Sequence, residues 1–191
     1  MRILYTASEA LPYAASGGLA DVAGSLPAAL CKAGHDCRVV LPLYKSIKPE
    51  LRKDLRFLMN FTVDVGWRKQ YCGVFEGHAN NVTYYLLDNE YYYARDGLYG
   101  FYDDCERFVF LSRAVMELIR HIDWKPQIIN CNDWQTALVP VYYQTYYKYQ
   151  HGYEDIKTVF TIHNIQYQGK YGMDVLLSLI HISEPTRPEP I

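Results

Sequence analysis

Two short apolar runs, Arg2 to Ala7 (RILYTA) and Cys37 to Leu43 (CRVVLPL), flank a stretch in which Leu19, Val22, Ala23, Leu26, Ala29 and Leu30 recur at spacings of three and four. Unbroken apolar runs of this length suit strands buried on both faces, and the spacing between them suits a helix with one apolar face. Gly17-Gly18 stands before that helix and Gly34 where its C-terminal cap belongs. Strand, helix and strand in this order form a βαβ unit with a right-handed crossover, so the two strands lie parallel. A parallel sheet needs helices on both faces, and that requirement governs the rest of the chain.

The remaining sequence largely meets it. From Leu55 to Asn89 the pattern becomes alternating (FTVDVGW, QYCGVFEG, VTYYLLDN) with Asn80-Asn81 as a turn, which predicts an antiparallel insertion or sheet edge. Phe108, Leu111, Val115, Leu118, Ile119 and Ile122 mark a second helix ending near Asp123, and Pro126 introduces a strand over Gln127 to Cys131. Trp134, Ala137, Leu138, Val141 and Tyr142 outline a third helical face with Asp133 at its start, and Thr158 to Ile162 forms the next strand. The fold class is therefore α/β, a Rossmann-like, doubly wound, mostly parallel sheet with an antiparallel insertion or edge. Ligands of such sheets bind beyond the carboxyl ends of the strands.

Composition narrows the function. The chain has 191 residues, 50% hydrophobic and 21% charged, enough for one folded domain. A formal charge of -2 offers no basic field for nucleic acid or an anionic membrane. No stretch approaches 18 apolar residues, and a cytoplasmic location is expected. Cys31, Cys37, Cys72, Cys105 and Cys131 form no C-x-x-C pair and leave one over, which suggests neither a zinc site nor a disulfide framework. The six histidines show no metal-ligand spacing, so no metal is expected. The 19 tyrosines suit half-buried positions with wet hydroxyls more readily than a sugar-binding surface.

Three predicted strand ends carry polar residues. Ser16-Gly17-Gly18 precedes a helix, where free N–H groups and the helix dipole attract an anion or polar ligand, although a tight turn has the same signature. Asp133 suits a helix N-cap or a carboxylate that accepts hydrogen bonds from sugar hydroxyls, and Trp134 suits a stacking ring or a packed one. His163-Asn164 follows a strand and would stand at a cleft edge. No nucleophile elbow or reactive-cysteine signature is present.

The segment MRILYTASEALPYAASGGLADVAGSLPAAL resembles the opening of bacterial glycogen synthases and plant starch synthases. INCNDWQTALVPVY and TVFTIHNIQYQGKYG resemble that family's H-x-N/H-D-W and T-x-H-N-x-x-Y-Q-G segments, in the same order. The resemblance implies a GT-B glycosyltransferase, with two Rossmann-like domains facing across a cleft, that transfers glucose from ADP-glucose to an α-1,4-glucan with retention and without a cofactor. Residues 1–176 would be its N-terminal, acceptor-side domain. It further implies His163 and Asp133 as catalytic-site residues, with Ser16, Gly17, Gly18, Asp21 and Asn164 binding substrate; Ala15 in the same loop and Trp134, as a candidate stacking ring, are counted with them. Tyr93 and Tyr99 are candidates for the acceptor side. Ala15 stands where many members carry lysine, removing a cation from the glycine loop.

The donor-binding half of the family is expected to lie outside this sequence, so the chain alone should be inactive. Residues 177–191 (LSLIHISEPTRPEPI) match no segment of the resemblance and are expected to be a foreign or unstructured tail. A non-catalytic glucan-binding module and a related enzyme such as sucrose synthase are the competing readings.

Overall fold

The computed structural model describes residues 1–172 and Val175. β1 (Arg2–Thr6), α1 (Gly18–Lys32) and β2 (Asp36–Pro42) form the expected βαβ unit, with β1 and β2 parallel. After the short α2 (Pro49–Lys53), β3 (Arg56–Val65), β4 (Arg68–Ala79) and β5 (Val82–Asp88) follow, then the single turn α3 (Glu90–Tyr93) and the long α4 (Asp104–His121). β6 (Ile128–Asn132) leads through a 3-10 turn, α5 (Leu138–Tyr142) and a π-helical turn (Tyr143–Tyr147) to β7 (Lys157–Thr161). The seven strands run in the order β3-β4-β5-β2-β1-β6-β7.

All pairs from β5 to β7 are parallel, whereas β3 and β4 form an antiparallel edge. Asn80 and Asn81 make the β4–β5 turn at φ values of 52° and 62°, the positive φ that a two-residue hairpin requires. The decisive topological fact is that β2 and β6 pair with opposite sides of β1. The chain thus reverses its direction of travel across the sheet at β1/β6, and a crevice opens there at the carboxyl ends.

Two local outcomes differ from the sequence pattern. The helical face over 134–142 is not one helix but a succession of 3-10, α and π turns continuing to Tyr147. Pro140, inside this stretch, has no N–H for the i→i−4 ladder, which favours such irregularity. The short helices α2 and α3 were not legible in the periodicity, because neither is long enough to show one.

Tyrosine serves the core here, more deeply than the half-buried placement with a wet hydroxyl that the sequence suggests. Tyr44, Tyr84, Tyr93, Tyr143 and Tyr153 are buried, and each hydroxyl donates to a backbone carbonyl, as in Tyr44 to Ser8 (2.8 Å) and Tyr153 to Met116 (2.6 Å). Arg107 of α4 is fully buried, paired with Asp104 at 2.5 Å and donating to the carbonyls of Tyr92 and Leu98. It ties the loop over 94–103 to α4. Removing one partner of a buried pair strands the other's charge. Arg107→Met should therefore cost about 3–5 kcal/mol, measured by urea unfolding.

Burial also raises several acids. The Cys37 and Cys131 thiols are pushed from 9.0 up to about 12, and the Tyr5 and Tyr84 phenols from 10.0 up to about 12, chiefly by desolvation. The folded state holds these protons more tightly than the unfolded one. Their contribution to stability is therefore complete below about pH 9 and declines as pH rises toward 12. Denaturation midpoints measured from pH 8 to 11.5 should fall progressively above pH 9.

Candidate functional site

The crest at β1/β6 is built by three chain turns. After β1 the chain loops through Ser8–Gly17 and enters α1, and Gly24 lets that helix lie against the loop. A Cβ on Gly24 would stand 2.9 Å from the Leu11 Cβ and 3.0 Å from its carbonyl oxygen. Gly17 caps α1 without a side-chain hydrogen bond, in extended conformation (φ -163°). A Cβ on Gly18 would meet nothing within 4 Å, and one on Gly17 only the Glu9 carboxylate at 4.0 Å. Neither backbone strain nor packing within the protein demands the glycine pair, and both glycines line an open pocket.

Behind this loop sits Glu9, which the sequence reading did not single out. It is only 3% exposed, accepts a hydrogen bond from the Ser16 N–H, and lines the same pocket. Its charge, secondary to burial, helps push the Tyr99 hydroxyl upward. Tyr99 is hydrogen bonded to Ser8 Oγ at 2.7 Å. Sequence offered one weak clue to Glu9, an acidic residue in an otherwise apolar and turn-rich segment.

β6 ends in Asn132, and Asp133 takes φ 58° and ψ 178°, a region nearly reserved for glycine that costs about 1–3 kcal/mol. Three bonds hold it there. The Asp133 N–H donates to the Thr161 carbonyl (2.9 Å), extending the β6–β7 ladder, and its Oδ1 accepts the N–H groups of His163 (2.7 Å) and Asn164 (3.3 Å). The helix-cap reading of Asp133 is thus corrected, since its side chain makes no bond to the turn that follows. The carboxylate fastens the end of β7 to the end of β6 instead.

The resulting pocket, about 580 Å³, is lined by Glu9, Ser16, Gly17, Gly18, Leu19, Val22, Tyr99, Asp133, Gln135, His163, Asn164 and Tyr167. Two carboxylates, an imidazole, two amides and two phenols face one space beside a helix N-terminus. Among the described residues no lysine or arginine lines it. Such a wall suits a hydroxyl-rich ligand, with the helix end open to an anion.

Several sequence candidates lie elsewhere. Tyr93 is fully buried and donates to the Arg107 carbonyl at 3.2 Å, so it belongs to the core and not to the pocket wall. Asp21 is exposed one turn along α1 and borders a different groove with Lys32, Asn80 and Asn81. Trp134 is half-buried, its ring packed by Phe108, Tyr167 and Tyr171. It lines a separate apolar cavity of about 300 Å³ and is not displayed as a stacking platform. Gly169, at φ 55°, carries the chain across that indole where a Cβ would overlap the ring at 2.3 Å. Ala15 is exposed beside the loop.

Among the described residues no group of three or more His, Cys, Asp or Glu side chains is placed to hold a metal ion, and no helix is long and apolar enough to cross a membrane.

Fold and crest together define a doubly wound α/β domain with a polar ligand pocket at its topological switch point. Comparison with known proteins gives it a family. The model for the starch synthase catalytic domain matches residues 2–189, and the chain belongs to that family. Its match runs into segment 177–191, which lies outside the described residues. The glycogen synthase of Clostridium botulinum (strain Alaska E43 / Type E3) is 53% identical over 180 residues, covering 94% of this chain and 38% of the relative. That of Clostridium perfringens is 50% identical over 188 residues, covering 98% and 39%. The catalytic domain of Arabidopsis thaliana starch synthase IV, solved bound to ADP and acarbose, superposes with a TM-score of 0.85 at 32% identity, over 92% of this chain and 36% of that one. The chain thus spans under two-fifths of the length of these relatives.

Asp133→Ala should remove charged acceptors for two backbone donors at the crest, costing about 1.5–3 kcal/mol by denaturant unfolding. Amide exchange should accelerate at His163 and Asn164 well before it does in the core strands.

Proposed function

We propose that this domain forms the acceptor-side wall of a glucosyltransferase that moves glucose from ADP-glucose to the non-reducing end of an α-1,4-glucan, retaining configuration. The observation that carries the reading is the single pocket at the β1/β6 crest, where Ser16-Gly17-Gly18, Asp133 and His163-Asn164 converge from three distant segments. The ADP and acarbose bound by the Arabidopsis relative, a nucleotide and a glucan analogue, support the same two substrate classes.

In this reading the glucosyl unit lies in the pocket. Carboxylates and amides accept or donate to its hydroxyls, and the bare N–H groups at the start of α1 face the donor's phosphates. None of the described residues that line the pocket is a lysine or arginine, and in this reading the diphosphate charge is met chiefly by groups elsewhere in the complete enzyme. His163 stands beside the transferred sugar and helps orient it, and fixed dipoles around it favour the positive charge that develops at the anomeric carbon. Asp133 contributes by holding the backbone of His163 and Asn164 in register with the pocket.

The complete enzyme should incorporate radiolabelled glucose from ADP-glucose into glycogen, and His163→Ala should reduce this by about 10²–10³-fold. The 191-residue chain alone should show no incorporation. Undiminished transfer by the His163→Ala enzyme, or transfer by the isolated chain, would overturn the reading.

A further inference from the structure

Asn132, the last residue of β6, is fully buried, and its amide is committed on its nitrogen side. Nδ2 donates to the Thr6 carbonyl at 3.0 Å, to the Asn130 carbonyl at 3.3 Å and to Asn130 Oδ1 at 2.8 Å. Two of these acceptors are backbone oxygens, which have no proton to give, so turning the amide over would set oxygen against oxygen. Oδ1 must therefore point the other way, and it lies 2.8 Å from His163 Nε2. An amide oxygen only accepts, so the ring nitrogen facing it carries the proton. In a neutral imidazole the lone pair then resides on Nδ1, which has no partner among the described residues.

We infer that Asn132 is a positioning residue: it locks His163 as the Nε2–H tautomer and leaves Nδ1 as the ring's free hydrogen-bond acceptor at the pocket wall. Resting on the sugar-pocket reading above, this makes a ligand hydroxyl the group Nδ1 accepts from. The division of labour with Asp133 is clean, because Asp133 holds the backbone N–H groups of His163 and Asn164 whereas Asn132 holds the His163 ring. The lock originates in β1, through the Thr6 carbonyl, so ring chemistry at the end of β7 is set by a strand two places away in the sheet.

The test is a long-range ¹H–¹⁵N correlation spectrum of the histidine rings in the ¹⁵N-labelled 191-residue chain at alkaline pH. Wild type should show His163 protonated at Nε2 and bare at Nδ1. Asn132→Leu, similar in size but without an acceptor, should lose about tenfold of that tautomeric preference. A wild-type ring protonated at Nδ1 overturns the proposal, as does an unchanged tautomer ratio in a folded Asn132→Leu chain. If the leucine variant does not fold, the wild-type spectrum decides: an Nε2 proton protected from solvent exchange supports the lock, and a rapidly exchanging one overturns it. No sugar transfer enters the readout, so the inference and the proposed reaction stand or fall separately.

Discussion

Everything at the crest depends on the parallel pairing of β1 with β6. β1 is the strand from which the chain departs in both directions across the sheet, and the register Thr6↔Cys131 brings the loop after β1 and the turn after β6 to the same height. The pairing is extended beyond the ladder by side chains, with Thr6 Oγ1 donating to the Asn130 carbonyl (3.1 Å) and Asn132 Nδ2 to the Thr6 carbonyl. Buried and short of water, these polar bonds tolerate little displacement. The glycine loop, the Asp133 turn and the His163-Asn164 segment all inherit their positions from this one seam.

A second constraint acts across the next seam. Asp133 is held in a backbone conformation that favours glycine, and it persists because the β6–β7 ladder and two N–H donors over-determine it. Strain of this sort is tolerated where it aims something. Here it turns a carboxylate back onto β7, and the peptides it grips are those preceding His163 and Asn164.

The architecture was legible because parallel α/β folds write themselves in long apolar runs and amphipathic helices. The strands at 37–43, 127–131 and 158–162 fell within one residue of those observed. The glycine pair, Asp133 and His163 were also legible, since each follows a strand. What the pattern could not reveal was any role created by contact between distant segments. Asn132 stood at a polar strand end in the sequence, but nothing there assigned it a role until its bond to Thr6, 126 positions away, was in view. Glu9 needed the fold to bring it under Ser16. Tyr93 misled for the converse reason: a four-residue helix has no readable period, and only the packing of α4 decides that this ring points inward. The irregular helix after Trp134 likewise follows from Pro140 and from rings that pack on α4, neither of which disturbs the apolar spacing.

The glycine loop is held largely by its backbone, through Ser16 N–H to Glu9 and Leu11 N–H to the Ala20 carbonyl, while Ala15 beside it projects into solvent. Position 15 is therefore uncoupled from the scaffold. An exposed side chain can be exchanged there with little effect on packing, so the charge beside the glycine loop can change independently of the machinery that shapes the pocket.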